Sequence, residues 1–442
     1  MQTTVGIVSL GCAKNRVDAE LMMYKLNEAG FKLVQDAAMA DAAIINTCGF
    51  IESAKQESID EILELAQLKK EGKVKAIIVT GCLAERYNSQ IMQQLHEVDA
   101  VVGIGKNADI AEVVRRALDG EKVEEFPDKL NLPLDGGRVQ STEQHWAYLK
   151  VADGCDNCCT YCAIPLIRGR FRSRKMEDIV AEAERLAKSG VKELNVIAQD
   201  TTRYGEDNYG KLMLPELLKQ LCRIDGIEWI RILYCYPDRI TDELLDVMRE
   251  EDKIVNYIDL PLQHCNGRVL KAMNRRGDKD SLAALIQHIR EKIPGVVLRT
   301  TLITGFPGES DEEFEEMSAF VREIKFERLG CFAYSQEEDT PAALMENQID
   351  EDVKQRRAEI IGEQEAVIMN DWCEGIVGKE IDVLVDGFDR YAECWFGRSA
   401  YDAPEVDPCV FFTVSDRKPQ PGEMVRVRID DHIDCDLTGE MI

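Results

Sequence analysis

The chain reads as an α/β protein in three parts: an N-terminal parallel-sheet domain over residues 1–118, a central partial (β/α)6 barrel over 141–374, and a small antiparallel β-barrel over 376–442, with a linker at 119–140. Three observations carry that reading. Short β-branched runs alternate with amphipathic helical patterns up to about residue 118, the signature of a parallel sheet covered by helices. The same alternation resumes in larger units from 146 to about 335, and after one long helical stretch only short strands and turns remain.

In the first part the strands are TVGIVSL, AAIINT, KAIIVT and AVVGI, separated by helical segments such as Asp18 to Ala29 and Ser53 to Leu68. In sheets of this kind the loops at the carboxyl ends of the strands form the binding crevice. Cys12, Cys48 and Cys82 each follow such a strand, in SLGCAKN, NTCGF and TGCLAE, so three cysteines far apart in sequence are expected on one edge. Singly, each is a small core residue; the repeated placement favours a shared ligand cluster. Residues 119–140 carry charges, Pro and Gly with little apolar periodicity, hence the linker.

The central strands are WAYLKVA, ELNVIAQ, WIRILYC, YIDLPLQ, VVLRTTLIT and RLGCFAYS. Six strands with five intervening helices predict an incomplete parallel barrel, with active-site residues on its carboxyl face. Residues 350–374 form one helical pattern ending at Gly375, and DVLVDG, YAECWFGRS, VFFTV and MVRVRIDD are the short strands of the last barrel.

Composition narrows the function. With 54 basic and 82 acidic side chains the formal charge is −28, which disfavours direct nucleic-acid binding unless a local basic patch intervenes. The N-terminal segment lacks the basic start and apolar run of an export signal, and no stretch approaches a membrane span. A cytoplasmic location is expected, where fifteen reduced cysteines point to metal or redox chemistry rather than disulfides.

Within DGCDNCCTYCAIPLIRGRFRSR, Cys155, Cys159 and Cys162 stand as Cys-x3-Cys-x2-Cys. Three thiolates in so short a loop suit three irons of a 4Fe-4S cube and leave one iron open for a substrate. Zinc is the alternative, but zinc sites usually take four ligands in two separated pairs. Only Cys155, Cys159 and Cys162 satisfy both spacings together, so Cys158 is read as a bystander. The cysteines at 222, 235, 331, 373, 394, 409 and 435 show no ligand spacing, His264 beside Cys265 is read as a barrel-loop pair, and GIGK at 103–106 as a turn.

With both triads placed, the chain resembles a methylthiotransferase of the radical S-adenosylmethionine (AdoMet) superfamily over nearly its whole length. The resemblance implies an N-terminal iron-sulfur domain with a 4Fe-4S cluster on Cys12, Cys48 and Cys82, a radical AdoMet barrel with a second on Cys155, Cys159 and Cys162, and a C-terminal TRAM-like domain that recognises the substrate. It implies no catalytic residue beyond these ligands. Radical cleavage of AdoMet, hydrogen abstraction from the substrate carbon and transfer of a methylsulfide would follow, with a low-potential electron donor as partner. The resemblance gives Tyr161 either the family's adenine contact or the place of a structural ring, and GFPGES places Gly305 and Gly308 either against AdoMet or in a plain turn.

Lys14 and Asn15, after Gly11 and Cys12, resemble the branch that acts on an aspartate of the twelfth small-subunit ribosomal protein rather than the branch that acts on transfer RNA, although Ala13 stands where Pro is expected. GFIESAKQES and GRSAYDAPEVD resemble the same branch. Residues 376–442 hold 7 Lys and Arg against 15 Asp and Glu, a formal charge of −8, which suits a basic ribosomal protein better than RNA. The basic run Arg168, Arg170, Arg172, Arg174 and Lys175 is expected either to balance the AdoMet cluster or to be a solvated loop. Transfer RNA methylthiolation and a bare iron-sulfur carrier or scaffold are the competing functions.

Overall fold

The computed structural model describes residues 2–415 and 417–442. The chain forms two compact units from interleaved stretches: Met1–Ser141, Ala152–Arg174 and Ser335–Ala343 make the first, and Thr142–Val151, Lys175–Tyr334 and Leu344–Ile442 the second.

The first unit is built on a parallel sheet in the order β2-β1-β3-β4-β5-β6, from β1 (Thr4–Ser9), β2 (Lys32–Val34), β3 (Ala42–Thr47), β4 (Ala76–Gly81), β5 (Ala100–Val102) and β6 (Val123–Glu125). Every residue of β3 and β4 is buried, as the continuous apolar runs require of central strands covered on both faces. Alternation splits the core in two. Ile44 and Ile78 pack with Met22 and Leu26 of α1 (Ala13–Glu28), while Ile45, Ile77 and Val79 pack with Ile62 and Leu65 of α2 (Glu52–Lys70).

The stretch expected to be a linker at 119–140 belongs to this unit instead. It opens with β6, paired in parallel with β5. Its far end is tied to α1: the Val139 N–H donates to the Glu20 carbonyl (3.1 Å), and Arg138 pairs with the buried Glu20 carboxylate at 3.1 Å. A three-residue strand and a buried ion pair leave no periodic signal, which is why the segment reads as a linker.

The second unit carries the six expected parallel strands, β7 (Trp146–Lys150), β8 (Glu193–Ile197), β9 (Trp229–Ile232), β10 (Ile254–Asp259), β11 (Val297–Thr304) and β12 (Arg328–Ala333), laid side by side in chain order. Helices Met176–Ser189, Leu214–Cys222, Asp242–Glu250, Lys279–Lys292 and Asp311–Ile324 return the chain between them. Sequential parallel order with crossovers of one hand curls a sheet into an open barrel. The helix Glu351–Glu374 leads to a closed five-stranded barrel of β13 (Glu380–Asp389), β14 (Cys394–Ser399), β15 (Val410–Thr413), β16 (Met424–Ile433) and β17 (Asp436–Met441). It is not wholly antiparallel as expected, because β15 and β17 pair in parallel to close it.

Four of the last domain's acidic side chains are engaged inside this unit. Asp402 takes Arg328 at 2.7 Å, Tyr257 donates to Asp407 at 2.6 Å, Tyr148 to Glu405 at 2.8 Å, and Arg398 bridges Glu193 and Asp386. His145 reaches Asp386 at 2.7 Å, and its hydrogen bonds with His145 and Arg398 hold that carboxyl below its ordinary value against the opposing effect of burial. The segment that resembles the ribosomal-protein branch, GRSAYDAPEVD, is thus the one that locks the small barrel to the strands.

Candidate functional site

The first triad is assembled by the sheet. Cys12 precedes α1, Cys48 follows β3, and Cys82 follows β4 at the start of α3 (Cys82–Tyr87). A glycine lies beside each. A Cβ on Gly11 would sit 2.8 Å from the Cys48 Sγ, one on Gly49 would sit 2.7 Å from the Leu83 nitrogen, and one on Gly81 would sit 2.5 Å from the Thr47 carbonyl oxygen. The thiol-bearing loops therefore approach more closely than any side chain allows, and Gly11 and Gly81 also take left-handed φ of 84° and 93°.

Polar clasps fix the same loops. The Asn15 amide donates to the carbonyls of Leu10 (2.8 Å), Asn46 (3.1 Å) and Thr47 (3.3 Å), joining the ends of β1 and β3. The Cys48 N–H donates to the Ser58 hydroxyl (3.1 Å), and Arg86 donates to the Gly49 carbonyl (2.8 Å) and to Glu337 (2.8 Å). Cys12 is exposed, whereas Cys48 and Cys82 are buried. Burial pushes the Cys48 thiol up, and Cys12 adds to this. Burial pushes Cys82 up to about 12, with Arg168 opposing and Cys12 and Cys48 reinforcing, so the three sulfurs lie in one another's field.

The second triad is local. Cys155, Cys159 and Cys162 lie in one loop, Cys159 buried and the other two half-buried. The Cys155 N–H donates to the Gly169 carbonyl (3.2 Å) and the Cys162 N–H to the Cys159 carbonyl (3.0 Å). Gly154, at φ 78°, lets the loop pass the Arg170 carbonyl, which a Cβ would meet at 2.1 Å. Cys158 is exposed and has a left-handed φ of 50°. Tyr161 is half-buried in the same loop, whose Thr160 carbonyl accepts from the Ala342 N–H (2.9 Å).

Both triads lie in the first compact unit, a juxtaposition that their sequence separation hides. Ala163, the residue after Cys162, and Ile167 form a buried cluster with Cys82. The basic run does something other than either expectation. Arg168 is buried and donates to Asp18 (2.5 Å), Asp153 (2.9 Å), Asn15 (3.2 Å) and the Cys82 Sγ (3.8 Å), so it serves the first triad. Arg172 donates to the Leu130 carbonyl and buried Arg174 pairs with Asp135 at 2.6 Å, while Arg170 and Lys175 are exposed. The run's periodicity was visible, but the inward direction of Arg168 and Arg174 was not.

Gly305 and Gly308 stand in the second unit, both at positive φ. The Gly305 N–H donates to the Glu309 carboxylate, and a Cβ there would meet Lys354 at 2.3 Å. Ser310 caps the following helix in a reciprocal box with Glu313. This is a turn with its own reasons for glycine. His264 is fully buried with Nε2 3.4 Å from Glu309, which also holds Arg357, and Cys222, Cys235, Cys265 and Cys373 are buried thiols.

Among the described residues, no three His, Cys, Asp or Glu side chains converge as ligands of a single metal ion do. A cubane takes each cysteine on a different iron, so its donors stand apart. Two sets of three thiols, hemmed by glycine cradles, fit that group.

The comparisons agree with this architecture. Three families match in succession: Uncharacterized protein family UPF0004 over residues 4–103, the Radical SAM superfamily over 149–321 and the TRAM domain over 377–442. A curated relative named ribosomal protein uS12 methylthiotransferase RimO, from Thermoanaerobacter sp. (strain X514), is 49% identical over 99% of both chains. Relatives of the same name from Desulforamulus reducens and Clostridioides difficile are 48% and 46% identical, covering 99% of this chain and 99% and 98% of their own. Among solved structures, the radical S-adenosylmethionine methyltransferase TsrM from Kitasatospora setae, with cobalamin and a [4Fe-4S] cluster bound, aligns with a TM-score of 0.58 at 13% identity over 78% of this chain and 74% of its own. The cobalamin-dependent S-adenosylmethionine radical enzyme OxsB, with aqua-cobalamin and S-adenosylmethionine bound, aligns with a TM-score of 0.52 at 13% identity over 83% of this chain and 58% of its own. At that identity the likeness is one of fold.

Proposed function

The chain belongs to the RimO family of radical SAM ribosomal protein uS12 methylthiotransferases, and on that premise we propose that it methylthiolates the β-carbon of an aspartate in uS12. The observation that carries the reading is the packing of Ala163 and Ile167, from the Cys-x3-Cys-x2-Cys loop, on Cys82 of the other triad. A reaction that generates a radical at one centre and traps it with sulfur at another needs the two close together.

Cys155, Cys159 and Cys162 would hold one 4Fe-4S cluster and Cys12, Cys48 and Cys82 the other, each leaving an iron without a protein ligand. Bound AdoMet and the clusters supply the radical and sulfur-transfer chemistry. The protein's own part is positioning and exclusion of water. Asn15, Ser58 and Arg86 hold the loops of the first triad, burial of Cys48 and Cys82 keeps solvent from it, and Tyr161 stands beside Cys162 where a flat adenine would find a ring. A low-potential electron donor is the remaining partner, and the protein is cytoplasmic; no helix among the described residues is long and apolar enough to cross a membrane.

Substrate choice rests on the small barrel. With Asp386, Asp402 and Asp407 engaged internally, the acidic side chains left at its surface include Asp430, Asp431 and Asp434. They suit a basic ribosomal protein. The test is anaerobic incubation with AdoMet, reductant and either uS12 or transfer RNA, read by mass spectrometry. A methylthio group on one uS12 aspartate is expected. Modification of transfer RNA alone would replace the substrate, and release of 5'-deoxyadenosine with neither modified would leave only the radical chemistry standing.

A further inference from the structure

We propose that Arg168 is a positioning residue that sets the reduction potential of the cluster on Cys12, Cys48 and Cys82. The inference rests on the reading that those cysteines hold a 4Fe-4S cluster.

Arg168 ends the short helix Ile164–Arg168, six residues beyond Cys162, yet its side chain reaches Cys82 of the other triad. It is 1% exposed. Nη1 donates to the carboxylates of Asp18 and Asp153, both also buried, and Nη2 to the Asn15 side-chain amide oxygen and the Cys82 Sγ. Burying three charged groups carries a desolvation penalty that well-packed apolar side chains would avoid, so a trio like this is weak evidence for stability alone. Its geometry suggests another role. The two carboxylates grip one end of the guanidinium and Asn15 steers the other, leaving an N–H directed at the buried Cys82 sulfur.

A hydrogen bond and a positive charge at a ligating sulfur withdraw electron density and favour the reduced cluster, one of the levers that set iron-sulfur potentials. Asn15 shares in this, since the same side chain clasps the loops of Cys12 and Cys48 and accepts from Arg168. One residue thereby ties the loop that carries one triad to the electronics of the other. A purely structural Arg168 would hold the loop in place without touching the potential.

The discriminating variant is R168M combined with D18N. It removes one guanidinium and one carboxylate, so the formal charge of the buried trio is unchanged and the loss of the N–H···S contact is isolated. The measurement is a redox titration followed by electron paramagnetic resonance on reconstituted protein in which Cys155, Cys159 and Cys162 are replaced by Ala, so that one cluster reports. A midpoint more negative than the parent is expected, with R168K between the two because it keeps the charge and loses the planar fork. A midpoint unchanged in the double variant overturns the proposal. If the double variant loses its cluster, R168K carries the test, and a midpoint equal to the parent overturns it. If the parent with the three Ala replacements binds no iron at all, the ligand reading itself fails, and the inference with it.

Discussion

The two cysteine triads solve the same chemical problem in opposite ways. Cys155, Cys159 and Cys162 are brought together by eight consecutive residues and one glycine turn, and two of the three remain half-buried. Cys12, Cys48 and Cys82 are brought together by three strands, three tight glycines and a set of side-chain clasps, and two of the three are buried. A triad written in local sequence survives changes in the fold around it; a triad written in the fold depends on each approach that closes it.

The largest effect follows from removing one triad and keeping the other. Replacing Cys155, Cys159 and Cys162 together with Ala is expected to abolish AdoMet cleavage and to remove about half the iron and sulfide, leaving the fold-built cluster in place. Both triads share one compact unit, so this is a demanding test of independence. Iron and sulfide analysis decides it: loss of all the iron would mean that Cys12, Cys48 and Cys82 hold no cluster of their own.

The same contrast explains what the sequence made legible. The local triad shows its spacing directly, and the long apolar strands β3 and β4 announce themselves by β-branched runs. The distributed triad could be inferred only from where strands end. Short elements escaped: β2 and β6 are three residues each, and β17, DLTGEM, is too polar to show alternation. Side-chain direction escaped as well. Arg168 read as one member of a basic run, and Glu337, which receives Lys55 (3.2 Å) and Arg86 (2.8 Å) within the first unit, sits hundreds of residues from its partners. Long-range ion pairs have no periodicity to read.

Glycine substitutions sharpen the contrast in both directions. G81A places a methyl group 2.5 Å from the Thr47 oxygen at φ 93°, and G154A places one 2.1 Å from the Arg170 oxygen at φ 78°. Each is expected to cost roughly 3 kcal/mol from strain and overlap combined. G81A should empty the fold-built site and leave AdoMet cleavage, while G154A should do the reverse. G30A, at φ 87° with nothing within 4 Å, controls for backbone strain alone and should cost only about 1 kcal/mol. Thermal melting with iron analysis checks all three, and equal loss at both sites in either variant would erase the distinction between them.

The smallest effect belongs to Cys158, an exposed cysteine that neither triad uses. C158A is expected to leave iron content unchanged and stability within about 0.5 kcal/mol, as for an ordinary surface change. Its value lies in the protein without clusters, where thiol reactivity follows the thiolate fraction. Cys82, pushed up to about 12 by burial, stays protonated at pH 8, with a thiolate fraction of roughly one in ten thousand. Exposed Cys158 should therefore be alkylated early and Cys82 late. Raising the pH should speed the reaction at Cys82, because a thiol whose value is raised gains thiolate with every step of pH up to about 12. Peptide mass spectrometry after a brief iodoacetamide pulse reads both sites at once. Rapid labelling of Cys82 at pH 8 would mean that the fold-built triad opens to solvent before its cluster arrives, and that its cysteines are gathered by the iron rather than by the sheet.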